Sequence, residues 1–293
     1  MKKTRIAAAV LFLCAGLLLP FSSCGRNKTP AAEPLVLDTA IAGTESPLQE
    51  QTPAEKAAPP VPDGKKISAA RALKIYKKAV GGLKARRPGF TRLQWQSFGD
   101  ITTADPTGVV SGVLTILSDY LVRNGSEAEA RANPEIVAKG DGAAAVEKLP
   151  LFRSSAEYAE TEHREFISDA VYVKHSDYKE YWIFFAPERN PVSGGLGMGS
   201  LMSPFDRASI PDTVGDLIRS IKKDDLQIEC VYSGCYLMFR TDKNGRLIRI
   251  ENHMSAQIDA RAEIDLVFAS AEILNGSCRY EEHYVFTDFE YEA

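Results

Sequence analysis

The 293-residue sequence has no apolar run long enough to cross a bilayer: a spanning helix needs about 20 apolar residues, and residues 6–19 supply fourteen before Pro20 stops them. It lacks His-Glu-x-x-His and Gly-x-Ser-x-Gly, which removes the zinc-protease helix and the hydrolase nucleophile elbow. Ser-x-x-Lys occurs at Ser176–Lys179 and Ser220–Lys223, but the Ser-Asp-Asn and Lys-Thr-Gly companions of penicillin-recognising enzymes are missing, so both matches read as chance. "SGGLGMGS", residues 193–200, has neither the third glycine of the dinucleotide fingerprint nor the lysine of the nucleotide loop, and reads as a mobile surface loop. A basic excess is also missing, with 35 Lys and Arg against 39 Asp and Glu, which argues against nucleic acid as a partner.

What is present at the N-terminus is an address. Lys2, Lys3 and Arg5 precede the short apolar segment, the pattern of a secretory signal peptide. Ser22 and Ser23 then stand directly before Cys24, which resembles the bacterial lipobox, although Phe21 occupies the place usually held by leucine. The resemblance implies cleavage before Cys24 and a diacylglyceryl group on its sulfur, with residues 1–23 discarded. Two acyl chains hold a protein on a membrane firmly where one binds reversibly. Loss of the three basic residues leaves 32 basic against 39 acidic residues, a formal charge near −7.

Residues 24–66 are rich in Pro, Ala, Thr and Glu and carry no hydrophobic period. Such a segment buries too little apolar surface to offset its ordering entropy and is expected to act as a disordered tether. Extended at about 3.1 Å per residue, it reaches on the order of 130 Å. Residues 67–293 remain as one extracytoplasmic domain.

Within that domain, apolar residues at 3.6-residue spacing behind Ser68 predict a helix over 69–85, ended by Pro88-Gly89. A second helix is expected from Pro106 to Val122, burying Val109, Val113, Ile116, Leu117 and Tyr120, and a third after Pro211. Strands are expected at 90–98, at 170–174 and 180–186 around a "HSDY" turn, and at 226–232 and 235–241 around a Ser233-Gly234 hairpin turn. Asp242-Lys243-Asn244-Gly245 is the next turn. Residues 248–268 then alternate apolar and polar, with Asn252 the exception on the apolar side. That is one long bent strand or two with a hidden break, and Asn275-Gly276 turns into a last strand at 278–289. The fold class is α+β: a curved antiparallel sheet, mostly a C-terminal meander, covered by two or three amphipathic helices.

"ALKIYKKAVGGLKARRPGFTR", "FFAPERNP" and "TDKNGRLIRIENHMSAQIDARAEIDL" resemble segments of lipid-anchored bacterial surface proteins of unassigned activity. The resemblance implies a cell-surface location and a shared fold, with no catalytic signature. A looser likeness of architecture is to half-barrel carriers that hold acyl chains in a sheet's concave face.

The candidate sites are few. His253 and His283 fall on the polar sheet face and can meet if their strands are neighbours, with Glu251 and Glu281 nearby, but solvated side chains are the default and no metal is assigned. His163 sits among carboxylates. Cys230, Cys235 and Cys278 are an odd set in an oxidising compartment, open to one disulfide or none. Lys74, Lys77, Lys78, Lys84, Arg86 and Arg87 make the first helix and its exit basic, suited to anionic lipid or wall polymer, or simply to solvent. Cys24 is the one assigned site, for lipid; no catalytic residue or cofactor is assigned. The expected function is a lipid-anchored binding or interaction module, taking an apolar ligand on the concave face or a surface protein or wall polymer. The alternatives are a surface hydrolase with an unrecognised site and a structural spacer.

Overall fold

The computed structural model describes residues 61–103, 108–122, 124–139, 164–195, 197–205, 207, 226–264 and 272–291. Cys24, the tether up to residue 60, His163 and the helix expected after Pro211 lie outside the described residues.

The elements in chain order are β1 (Lys65–Lys66), α1 (Ala69–Arg86), β2 (Gly89–Phe98), β3 (Thr102–Thr103), α2 (Val109–Leu121), α3 (Glu127–Ala132), β4 (Glu135–Val137), β5 (Ile167–Lys174), β6 (Tyr178–Phe185), β7 (Glu188–Arg189), β8 (Leu226–Tyr232), β9 (Tyr236–Asp242), β10 (Leu247–Ile264) and β11 (Glu272–Glu290). The strands make one antiparallel, curved sheet in the order β1-β5-β6-β9-β10-β11-β2-β4, and the class is α+β.

Its spine is the β10–β11 pair, in unbroken register from Ile250↔Phe286 to Ile264↔Glu272. The long alternation is therefore one strand as far as Ile264. The discontinuities lie in its neighbours. β9 pairs with β10 from Leu247 to His253, and β8 takes over from Ala256 to Ala262. On the far side β2 pairs with β11 from Tyr280 to Glu290, and β3 takes over at Gly276 and Ser277.

Two expected turns are corrected by this register. Ser233-Gly234 is not a hairpin turn, because β8 and β9 run in the same direction along one edge of β10. Between Tyr232↔Ala256 and Tyr236↔His253, residues 233–235 face only 254 and 255, which is a β-bulge. Gly234 takes φ 68°, and Ser233 N–H donates to the Ser255 carbonyl at 2.9 Å. A left-handed glycine serves a bulge as well as a hairpin, so the local signal is shared. Asn275-Gly276 is not a turn either; it lies inside β11, paired with Arg261 and Ala260. A Cβ on Gly276 would stand 2.6 Å from Val110 Cγ1 and 3.2 Å from Leu114 Cδ1, so the glycine admits α2 onto the strand. The turn at Asp242 is as expected: Asp242 Oδ1 accepts from the N–H of Asn244 and Arg246, both at 2.8 Å, and Gly245 has φ 79°.

Even-numbered residues of β10 from Ile250 to Ala260, of β11 from Cys278 to Phe286 and of β2 form the inner face. α1 starts at Ser68, whose Oγ accepts from Arg71 N–H, and ends at Arg87, held at φ 45° with its N–H on the Leu83 carbonyl. Its buried stripe is Ala72, Leu73, Tyr76, Ala79, Val80 and Leu83, lying over β5, β6 and β10. α2 begins only at Val109, because Gly108 has φ 74° and forms the N-cap; it buries Val110, Val113, Leu114 and Leu117 over β10 and β11. The side chains of Val109 and Tyr120 lie outside the described residues. α3 was not expected. A reciprocal cap starts it, with Ser126 Oγ accepting from Glu129 N–H and donating to the Glu129 carboxylate. Its Ala130 packs with Leu93, Val285 and Trp95, which point to the outer face.

Two glycines give opposite outcomes. Gly276→Val should destabilise the domain by about 1–3 kcal/mol through overpacking against α2. Gly81→Ala, whose added methyl meets nothing within 4 Å, should stabilise it by about 0.5–1 kcal/mol by removing a helix-interior glycine. Urea unfolding of the two variants checks both signs.

Candidate functional site

The inner face expected to hold an apolar ligand is filled by the protein itself. Ile250, Met254, Ala256, Ile258, Tyr280 and Phe286 are at most 2% exposed and belong to the core beneath the helices. Of the "SGGLGMGS" segment, Gly194 is exposed as a surface loop would be, but Gly197, Met198 and Gly199 are buried and add to that core. Met198 and Met202 are buried, Met198 N–H donates to Glu188 Oε2 at 2.8 Å, and a Cβ on Gly199 would strike the Val192 carbonyl at 2.0 Å.

A groove remains open beside α1. It has a volume of about 310 Å³ and lies between the C-terminal half of α1, the start of β6, the β9–β10 turn and Tyr291. Such a volume is at the lower end for small-molecule sites. Ile75, Ala79 and Leu83 give it an apolar wall, and Tyr181 and Thr241 a polar floor. Four cations from three separate stretches enter it: Lys78 and Arg86 from α1, Lys179 from β6 and Arg246 from the turn. The helical spacing that buries Ala79 and Leu83 sets Lys78 and Arg86 along the same rim. Of the four, Arg246 faces a carboxylate, Asp242, at 3.5 Å; Lys78, Arg86 and Lys179 pair with none among the described residues. The guanidiniums of Arg86 and Arg246 lie over the Tyr291 ring, at 6.0 and 5.8 Å from its centroid, and Tyr291 donates its hydroxyl to the Leu247 carbonyl at 2.7 Å. Burial raises the Tyr291 phenol above its ordinary range, so it stays a neutral donor.

Sequence reasoning found the basic helix but not the groove, since Lys179, Arg246 and Tyr291 reach it only through the sheet. Gly82, which also lines it, leaves open space where a side chain would stand.

On the outer face a row of rings crosses five strands. Phe184, Tyr236, His253, His283 and Trp95 are direct cross-strand neighbours, and Trp182 flanks Tyr236 at 5.1 Å. The two histidines do meet. Glu251 and Glu281, however, are bonded to Arg249 and Arg279, and no group of three or more His, Cys, Asp or Glu is placed to hold a metal among the described residues.

A buried polar clasp was missed. Glu282, 3% exposed, accepts from Gln94 Nε2 at 2.9 Å and Gln96 Nε2 at 2.7 Å, tying β11 to β2. Its place among Tyr280, Tyr284 and Phe286 in the alternation was the available signal. Asn252, the exception noted in β10, is 1% exposed on the apolar side, and neither of its amide atoms has a partner.

Neither Ser-x-x-Lys match assembles a nucleophile among the described residues. Ser176 Oγ donates to Asp177 in the β5–β6 turn, and Ser220 lies outside the described residues. The three cysteines are free and buried. Cys230 and Cys278 both pair with Ile258 from opposite sides, two strand spacings of about 4.8 Å apart, beyond the roughly 7 Å Cα limit of a disulfide. Burial pushes all three thiols up to about 12, leaving them protonated at neutral pH. No family model, curated protein or solved structure matches the chain.

The thiols give a direct check. At pH 8 the folded domain should leave Cys230, Cys235 and Cys278 unlabelled by iodoacetamide over hours, while 6 M guanidinium exposes all three. Rapid labelling of any of them in the native protein, read by peptide mass spectrometry, would contradict the packing described.

Proposed function

We propose that this chain is a lipid-anchored, extracytoplasmic binding module that holds a phosphate-bearing ligand in the groove beside α1. The observation that carries the reading is the gathering of Lys78, Arg86, Lys179 and Arg246 around one small groove in a chain whose net charge is −4. Clustered cations in a walled groove focus potential and raise the local concentration of anions. Arginine presents a planar fork that matches phosphate oxygens, and lysine adds a point charge. Tyr291 lies within cation–π reach of Arg86 and Arg246, which favours their presence at the groove before any ligand arrives. The apolar wall of Ile75, Ala79 and Leu83 suits the carbon skeleton of an organophosphate. On this reading Cys24 carries the lipid and residues 24–66 are the tether, keeping the groove within reach of a phosphate-rich envelope surface.

The test is titration of the full chain with glycerol phosphate and, separately, with vesicles of phosphatidylglycerol or phosphatidylcholine. Saturable binding of glycerol phosphate that weakens about tenfold or more in Lys78→Ala/Lys179→Ala supports a free phosphate ligand; selective binding to phosphatidylglycerol with the same loss supports a headgroup. Equal binding by wild type and variant, with unchanged unfolding midpoints, would remove the groove from the function. The address is tested apart from it. Cys24→Ala should move the protein from the membrane fraction to the soluble or secreted one, and equal membrane retention overturns the anchor.

A further inference from the structure

We propose that His253 and His283 form a two-imidazole site for a late first-row divalent cation on the outer face of the sheet. This site is separate from the groove, which opens on the inner side. His253 and His283 are directly opposed in the β10–β11 register. Their ring centroids are 4.4 Å apart, and His253 Nδ1 lies 3.1 Å from His283 Nε2 and 3.4 Å from His283 Nδ1. Two imidazole nitrogens bound to one ion at about 2.0–2.1 Å each stand about 2.9–3.4 Å apart for bond angles between square and tetrahedral. The bite is therefore present before metal arrives; the ion would take the place of the one proton between the facing nitrogens, which moves to the outer nitrogen of its own ring, so that both imidazoles bind neutral.

The rings are also held. Trp95 stacks on His283 at 4.8 Å with planes 6° apart, and Tyr236 stacks on His253 at 5.1 Å with planes 29° apart. With their faces covered from both ends of the row, the imidazoles present edges, and it is the edges that carry nitrogen. Such packing is what a preorganised ligand pair requires. The charged groups nearby on the same strands are Glu251 with Arg249 and Glu281 with Arg279, each carboxylate paired with its arginine. Water completes the coordination. Imidazole ligands without carboxylate favour copper, nickel and zinc over magnesium and calcium, and copper(II) binds tightest of the three.

The experiment is titration of the full chain with copper(II) at pH 7.5 in a non-coordinating buffer, followed by electron paramagnetic resonance of the one-to-one complex. The expected spectrum carries coupling from two imidazole nitrogens, and zinc competes for the same site. His253→Gln and His283→Gln should each weaken binding by about a hundredfold, as loss of a chelate partner does, and the double variant should be little worse. His175→Gln should bind as wild type does. A wild-type spectrum lacking two-nitrogen coupling overturns the proposal whatever the variants do, as does copper affinity unchanged in folded His283→Gln.

Discussion

The period-two alternation of β10 and β11 is the constraint on which the rest of the molecule depends. With fifteen paired positions in one unbroken register, a slip of one residue would move either Ile250, Met254 and Ile258 of β10 or Tyr280 and Phe286 of β11 from the core to the outer face. No other pairing in the sheet is as long, and the shorter strands take their places against it. β8 with β9, and β2 with β3, are interrupted strands that fit to the two edges of an uninterrupted ribbon. The bulge at Ser233-Gly234 absorbs the one residue by which β8 and β9 exceed the partner they share.

That ribbon also separates the two surfaces that matter. The inner face is closed by α1 and α2, and Gly276 marks where α2 comes closest to the backbone. Because α1 covers β5 and β6 only with its apolar stripe, its charged rim is left facing the β9–β10 turn, and the groove forms between them. The outer face has little covering beyond α3 among the described residues, and there the register lines up Phe184, Tyr236, His253, His283 and Trp95 in one row. Buried polar groups were admitted where they are bonded, as with Glu282 and its two glutamines. Asn252 is not bonded in this way, nor are the hydroxyls of Tyr76 and Tyr232: among the described residues each is buried without a partner, and an unpartnered buried amide costs about 1–3 kcal/mol, which other burial must offset.

Legibility followed the length and regularity of each signal. The helix expected over 69–85 and the alternation expected from 248, as far as Ile264, read correctly because each repeats its period several times, so that single exceptions such as Asn252 do not break it; that the alternation is one strand was not legible. Glycine pairs misled for a physical reason: positive φ and the absence of a Cβ are needed equally by a turn, a bulge and a close helix crossing, and residues 233–234 and 275–276 are of the second and third kinds. Gly108 was placed inside a helix that it caps. Met198 and Met202 were hidden by glycines that look like surface chain and in fact allow tight folding against Val192 and Glu188.

The sequence by itself determined the class of fold, the helix that carries the basic rim and the strand pair that forms the spine, because these rest on local periodicity. Only the tertiary structure decided which residues meet. Lys78 and Lys179 are about a hundred residues apart, as Glu282 and Gln96 are nearly two hundred, and His253 and His283 are thirty. Such meetings are fixed by strand order and register, and those are set by long-range burial that no window of the chain contains.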